Sequence, residues 1–208
     1  PVGPARKNAI RKALSRKLYK VNLMIEEDRH LVENYFEGND SSFEMLLKKY
    51  LKPVYNFLFQ LTRDRSVLDD LTQVTFLKAW KNLRRFDQSR SFKTWLFTIA
   101  KNTAYDYLKK KKTIPFSFFE NESGYNKLDE VEEDKNLPDE ILERKSLSRE
   151  IEEQLDDLPK NYRIILFMHY KEDLALSEIS EILGVPYNTI KSQHQRALLI
   201  LRKAFLGD

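Results

Sequence analysis

A cluster of polar and cationic side chains near the C-terminus has the chemistry needed to recognise DNA bases. It follows the short turn 184–186, in a segment whose apolar residues recur with helical spacing. Its members are Tyr187, Asn188, Thr189, Lys191, Ser192, Gln195 and Arg196. Such groups at the start of a helix match the donors and acceptors of base edges in a major groove. They predict a helix-turn-helix that binds duplex DNA, although a generic amphipathic helix pair would show the same apolar spacing.

Helices that would position this cluster occupy most of the chain. Leu, Lys and Glu dominate and only 5 of the 208 residues are Gly, so the sequence predicts an all-α fold. Ser41 and Glu44 have the spacing of a capping box, and an apolar face then runs to Leu61. Pro53 interrupts that face, so we expect a kink near Tyr50 or a break. The other predicted helices span about 67–83, 91–112, 139–156, 160–171, 175–183 and 187–205.

An acidic stretch over residues 114–138 divides the chain. It contains Pro115, Gly124 and Pro138 and has no sustained periodicity. At 25 residues it is too long for an ordinary loop inside one compact domain. We therefore predict two small helical domains joined by a flexible acidic linker. The predicted units are a basic N-terminal extension (1–24), a first domain (25–113), the linker (114–138) and a second domain (139–208).

Charge is unevenly distributed along the chain. Residues 1–113 carry 24 basic and 12 acidic side chains, whereas residues 114–157 carry 5 and 15. A basic block of this kind suggests a polyanionic partner, although charged helices also solvate themselves.

Other classes of function find no support in the residue types. The chain has no Cys, and His30, His169 and His194 are too scattered for metal-ligand spacing. The sequence offers no nucleophile–base pair and no Gly-rich phosphate loop, so we expect no enzyme activity, no cofactor and no metal. We find neither an apolar run of about 20 residues nor a secretory signal, and we expect a cytoplasmic protein.

Two blocks of the sequence together resemble the sigma factors of bacterial RNA polymerase. The positions similar to sigma region two are Asp69–Phe76, Ala79–Trp80, Phe92–Leu96, Ile99–Ala100, Asn102 and Asp106. Those similar to region four are Asp157–Pro159, Tyr162–Arg163, Glu178–Ile179, Ile182–Pro186 and Thr189–Ser192. Only the acidic segment joins the blocks, so the resemblance is to the small extracytoplasmic-function group. A helix-turn-helix regulator that is not a polymerase subunit is the alternative, but such regulators do not need the first block.

The resemblance implies that the chain directs promoter-specific transcription initiation. The first domain would bind core RNA polymerase and the melted −10 strand, and the second the −35 duplex. Asp69, Asp70 and Gln73 would contact the clamp helices of the largest catalytic subunit, and the flap region is a further expected contact. Acids at a helix start also stabilise the helix dipole, which explains Asp69 and Asp70 but not Gln73. Whether an anti-sigma factor also binds is left open.

A melted strand requires a cationic surface and aromatic side chains on which bases stack. The positions implied for −10 binding are Arg84, Arg85, Phe86, Asp87, Gln88, Ser89, Arg90, Lys93, Trp95, Lys101 and Asn102. Phe86, Phe92 and Trp95 supply the expected aromatic groups. Trp95 also lies on the apolar stripe of its helix, so core packing is the alternative for that residue.

Three positions depart from the family pattern. Val74 stands where Glu is common, within the expected polymerase contact. Gln193 stands where an Arg is usual, so it removes a cation that the family pattern places toward DNA. His194 replaces the following Leu, and we expect it on the inner face of the recognition helix, with base contact as the alternative.

Overall fold

Seven α-helices build the part of the chain that the computed structural model describes, residues 23–111 and 158–206. They are α1 (23–36), α2 (Asp40–Thr62), α3 (Leu68–Asn82), α4 (Phe92–Lys110), α5 (Lys160–Leu166), α6 (Leu176–Leu183) and α7 (Tyr187–Leu206). These ranges contain no strand, and the all-α prediction is confirmed. The extension up to residue 22, the linker and the helix expected over 139–156 lie outside the described residues.

Helix α2 differs from its prediction at both of the expected irregularities. Its N-cap is Asn39, which makes no side-chain cap hydrogen bond. Ser41 lies inside the helix and donates its hydroxyl to Asn39 Oδ1 at 2.6 Å, so the capping-box prediction is wrong. The helix also continues through Pro53 without a break. Tyr50 and Val54 are buried on either side of the proline, and this packing offsets the hydrogen bond that proline cannot donate.

Helices α1 to α4 form the first unit. Helices α2, α3 and α4 pack pairwise around a common core, in which Phe57 stacks on Phe97 with ring centroids 4.9 Å apart. Ser91 caps α4 by accepting a hydrogen bond from the Thr94 backbone N–H at 3.2 Å. The loop 86–91 therefore ends at a fixed point, the first turn of α4.

The second unit contains the predicted helix-turn-helix. Helix α5 continues into a π-helical turn, Phe167–Lys171, whereas the sequence predicts a single α-helix over 160–171. Gly184 ends α6 with φ +71°, a backbone conformation that side chains with a Cβ rarely adopt. Ser180 closes the turn by donating its hydroxyl to the Val185 carbonyl at 2.6 Å. Helix α7 then packs on α5 and α6.

The two units pack against each other, an arrangement that the sequence did not predict. Helix α6 lies on α4, and α5 lies on α2. Buried residues of both units form one continuous apolar cluster, to which Ile164, Met168, Ile179 and Ile182 belong from the second unit. In the described part of the chain, no helix is long and apolar enough to cross a membrane.

Candidate nucleic-acid interface

Helix α3 presents a mixed polar and apolar face to solvent. Its opposite face is buried in the first unit, and the predicted contact residues Asp69, Asp70 and Gln73 are all exposed. Next to them Val74, Leu77 and Trp80 are also exposed, at successive positions three residues apart. These three side chains form an apolar stripe on the solvent-facing side of α3.

The apolar part of this face was missed by sequence reasoning. The Trp80 ring is held in place because its Nε1 donates to the Tyr35 hydroxyl at 2.8 Å. The spacing of Val74, Leu77 and Trp80 was the available signal, since positions three apart lie on one face of a helix. It was overlooked because Leu77 and Trp80 suggest core residues by type. Val74, the departure from the family pattern, lies within this stripe.

The outer face of α7 carries the residues predicted to bind duplex DNA. Tyr187, Asn188, Lys191, Ser192 and Gln195 are exposed, and Thr189 and Arg196 are partly buried. The Ser192 hydroxyl donates to the Asn188 carbonyl at 2.8 Å, one turn earlier in the helix. The structure thus places all seven on the solvent side of a helix anchored by the buried Ile190.

Gln193 does not lie on this outer face. It is 6% exposed, so position 193 does not point toward DNA here, as the family pattern implied that it would. Gln193 and His194 lie three and four residues after Ile190, which are the positions that follow it on the same side of a helix. His194 is buried as expected, with its ring 5.0 Å from that of His169 and 5.7 Å from that of Tyr170.

The loop between α3 and α4 has a fixed shape. Ser89 donates its backbone N–H and its hydroxyl to Asp87 Oδ1, at 2.9 and 2.7 Å. These two bonds lower the pKa of Asp87, so its carboxylate stays ionised. From α1, Arg29 Nε donates to the Gln88 carbonyl at 3.2 Å. The 3₁₀ turn before the loop leaves Arg84 and Arg85 exposed. Sequence reasoning missed Arg29, because 59 residues separate it from Gln88.

The aromatic residues of this region pack mainly inside the protein. Phe86 is 8% exposed and Phe92 is 3% exposed, with ring centroids 5.6 Å apart. The partly buried Trp95 lies 5.0 Å from Phe86 and 5.6 Å from Phe92. Phe86 and Phe92 therefore leave little ring surface open for the stacking of bases, and Trp95 is the least buried of the three rings. Phe86 and Phe92 support the loop from beneath.

The cations of α4 have different surroundings. Lys93 Nζ lies 3.1 Å from Glu172 Oε2, and Arg90 forms an ion pair with Glu181, so both cations are paired with acids of the second unit. Lys101 lies over the Tyr105 ring at 5.6 Å, and burial lowers the pKa of Lys101. Asn102 is exposed. Arg84 and Arg85 thus lie on the 3₁₀ turn, Arg90 on the loop, and Lys93, Lys101 and Asn102 on α4. Arg90 and Lys93 are engaged by the second unit.

Comparison with known proteins identifies two family regions in the chain. Residues 46–114 match the model of Sigma-70 region 2, and residues 148–201 match that of Sigma-70, region 4. The chain is 30% identical to the ECF RNA polymerase sigma factor SigW of Bacillus subtilis over 171 residues, which cover 80% of this chain and 90% of that protein. It is 27% identical to the RNA polymerase sigma-H factor of Pseudomonas aeruginosa over 188 residues, 86% of this chain and 94% of that protein.

Solved structures show a similar fold. One is that of CnrH in complex with the cytosolic domain of CnrY, with a TM-score of 0.58 and 19% identity over 88% of this chain and 99% of that one. Another is the sigma factor RpoE in complex with the anti-sigma factor NepR from Bartonella quintana, with a TM-score of 0.55 and 21% identity over 80% of this chain and 98% of that one.

Proposed function

Because the chain belongs to the extracytoplasmic-function group of RNA polymerase sigma factors, we propose that it binds core polymerase and directs initiation at specific promoters. It does so by recognising a −35 duplex and a melted −10 strand. The observation that carries this proposal is the presence of both sigma regions in one chain, each on a helical unit with an exposed polar face.

The polymerase contact is the exposed face of α3. Asp69, Asp70 and Gln73 provide polar groups for the clamp helices of the largest catalytic subunit, and the stripe Val74–Leu77–Trp80 provides apolar area beside them. Charged groups favour the correct partner, and the apolar centre contributes binding energy. The flap region of the polymerase is the second contact that we propose, and an anti-sigma factor is the remaining proposed partner.

The −35 contact is the outer face of α7. Its N-terminal turns carry Asn188, Lys191 and Gln195, whose amide and ammonium groups suit base edges and phosphates in a major groove. The domain 139–208 carries the −35 contact, and the domain 25–113 carries the polymerase contact and the −10 contact. The linker 114–138 connects these two domains.

The −10 contact is the loop 86–91 with the adjacent face of α4. The Asp87–Ser89 turn and the Arg29 bond give the loop a defined shape, as a pocket for an unpaired base requires. Arg84, Arg85, Arg90 and the α4 cations attract the phosphates, and Trp95 offers the remaining aromatic ring. The chain supplies recognition only, so it is not an enzyme, and it works in the cytoplasm where polymerase and DNA meet.

Open-complex formation on two templates tests the −10 assignment. One template is a duplex promoter, and the other carries a pre-melted −10 bubble. Trp95→Ala and a variant with a replaced 87–89 loop should fail mainly on the duplex, because the bubble removes the cost of unpairing. Lys203→Ala, an exposed cation on α7, is the control and should initiate like wild type on both.

Two results would count against the proposal. Variants that initiate as well as wild type on duplex DNA would reduce the first unit to a polymerase-docking module. A chain that captures no core polymerase in a pull-down would instead be the alternative, a plain helix-turn-helix regulator. No observation favours that alternative, since a plain regulator has no use for the α3 and α4 block.

A further inference from the structure

Lys160 lies in a cluster of cations where α5 meets the end of α2. It is the first residue of α5, and Arg163 follows three positions later, on the same side of the helix. Helix α5 lies on α2, whose C-cap residue is Arg63. Lys160 is half-buried and Arg163 is 9% exposed. Burial, followed by the positive charges of Arg163 and Arg63, lowers the pKa of Lys160 to about 8.

The end of α2 fixes the position of Arg63. Its backbone takes the left-handed conformation, with φ +53°, and its N–H donates to the Phe59 carbonyl at 2.9 Å. Its guanidinium lies over the Phe59 ring, 4.9 Å from the centroid. Because the side chain is also exposed, Arg63 presents a positive charge to solvent at the boundary with α5.

We propose that Lys160 is a modification site, at which small acyl phosphates transfer their acyl group to Nζ. An amine becomes nucleophilic near neutral pH when it is desolvated and lies beside other cations, and Lys160 meets both conditions. Guanidinium groups pair with phosphate oxygens, so the same cations attract a donor that carries a phosphate. Lys160 lies outside the surfaces that we assign to polymerase and to DNA.

The transfer requires only the amine and the acyl phosphate. The lone pair of the neutral Nζ attacks the acyl carbon, the bond from that carbon to the bridging phosphate oxygen breaks, and inorganic phosphate leaves with the electron pair. The attacking nitrogen then loses a proton to water. The exposed Arg63 pairs with the leaving phosphate, and the buried Arg163 adds the attraction of its charge. The product is a neutral amide, so the cluster loses one positive charge.

The lowered pKa increases the amount of reactive amine. At about pH 7.5, about a quarter of Lys160 is neutral, compared with about 0.1% of a lysine that has the usual pKa of about 10.4. A less basic amine is also less nucleophilic, so only part of this gain reaches the rate. We therefore expect Lys160 to react about 10-fold faster than exposed lysines.

The test is acetylation of the full chain by acetyl phosphate, followed at each lysine by mass spectrometry. Initial rates are measured from about pH 6.5 to about pH 10. At about pH 7.5 the rate at Lys160 should exceed the rates at the exposed Lys52 and Lys203 about 10-fold. The rate at Lys160 should level off above about pH 9, because nearly all of the amine is then neutral.

Arg65 provides a matched control for Arg63. Both guanidinium groups lie over the Phe59 ring, at 4.9 and 5.2 Å, and both side chains are exposed. Arg63→Gln should slow acetylation of Lys160 about 3-fold or more, because it raises the pKa of Lys160 and removes a phosphate partner. Arg65→Gln removes the same net charge and should leave the rate at the wild-type value. Circular dichroism checks that both variants keep their helices.

Three results would overturn the proposal. The first is a rate at Lys160 no higher than the rates at Lys52 and Lys203. The second is an equal effect of Arg63→Gln and Arg65→Gln. The third is an equal preference for Lys160 when the donor is an uncharged N-hydroxysuccinimide ester of acetic acid, which would show that the cluster does not recognise the phosphate. A preference that is larger with acetyl phosphate, and that falls in Arg63→Gln alone, supports the assignment.

Discussion

Asn188 and Lys191 lie three residues apart on the outer face of α7, yet they should make different kinds of DNA contact. Asn188→Ala should weaken the binding free energy for one −35 sequence by about 1–3 kcal/mol and relax the preference at one base pair. Lys191→Ala should weaken binding to all −35 sequences alike. It should also reduce by about one the slope of log affinity against log salt concentration. Titration of −35 duplexes at several salt concentrations measures both effects. Lys203→Ala, a cation at the far end of the helix, is the control; identical slopes for both lysine variants would contradict the assignment.

Asp28 connects α1 to α2 inside the first unit. It is 2% exposed and accepts hydrogen bonds from Lys49 Nζ at 2.6 Å and from the Tyr50 hydroxyl. Burial raises the pKa of Asp28, although both hydrogen bonds oppose the rise. The folded chain therefore holds this proton more tightly than the unfolded chain does. The resulting stability is present below about pH 4 and is lost as the pH rises through the raised pKa.

Asp28→Asn should remove this pH dependence. The free energy of unfolding of wild type minus that of the variant should fall as the pH rises above about 4, as measured by urea unfolding at several pH values. Glu27→Gln is the control, because Glu27 is an exposed acid that also pairs with Lys49, at 2.8 Å. If the difference in unfolding free energy between wild type and Asp28→Asn does not change with pH, the pKa of the Asp28 carboxyl is not perturbed by burial.

Single residues also show which side-chain positions the sequence alone can predict and which it cannot. The outward positions of α7 could be predicted because apolar spacing sets the phase of a helix. The direction of position 193 was misjudged because it was taken from the family pattern, although its spacing from Ile190 places it on the inner face. Phe86 lies in a loop, where no periodicity reports the direction of a side chain. Its burial comes from packing against Phe92 and Trp95, whose ring centroids lie 5.6 and 5.0 Å from its own.

At the scale of elements, α3 offers a test of the polymerase contact. Asp70→Arg with Gln73→Ala should weaken association with core polymerase, because both side chains are exposed on the face that we assign to the clamp helices. The fold should remain intact, since neither side chain is part of the core. Co-purification and a binding titration with core polymerase measure the effect.

A control separates this loss from a general response to charge. Glu44→Arg reverses an exposed acid on α2 and should leave polymerase affinity unchanged. If the α3 double variant binds core polymerase as tightly as this control does, the contact lies on another element.

Helices α2 to α7 were largely predictable from their periodicity, whereas α1 (23–36) was not predicted. The ends of the helices were less predictable than their existence. The periodicity of α3 and α4 placed each within about two residues of its observed bounds. The start of α2 was missed because Ser41 and Glu44 satisfy the capping pattern by type, while the backbone enters the helix at Asp40. Pro53 did not break α2, because tertiary packing on both sides outweighs its local preference.

At the scale of the whole molecule, the packing of one unit on the other had no signal in the sequence. Ile179 and Ile182 predicted a buried face on α6, but periodicity cannot say which helix covers it. The partners, Lys93 with Glu172 and Arg90 with Glu181, are 79 and 91 residues apart in the chain. Only the folded arrangement brings such distant groups together.

A shared core should make the two units unfold together. Both Trp residues, Trp80 and Trp95, lie in the first unit, so Trp fluorescence reports that unit, whereas far-ultraviolet circular dichroism reports helices in both. In urea the two signals should give coincident transitions, as two-state unfolding requires. Ile182→Ala should shift both together, because truncating a fully buried residue costs about 2–5 kcal/mol.

Lys203→Ala, a substitution at an exposed position of the same unit, is the control and should shift neither transition. The decisive comparison is the response of Trp fluorescence to Ile182→Ala. A first unit that unfolds independently would keep its wild-type midpoint, while circular dichroism would split into two steps. That result would mean that the apolar contact between α4 and α6 adds little to the stability of the first unit. A common shift of both signals instead means that separation of the units exposes core surface, so a partner that opens the chain must offset that cost.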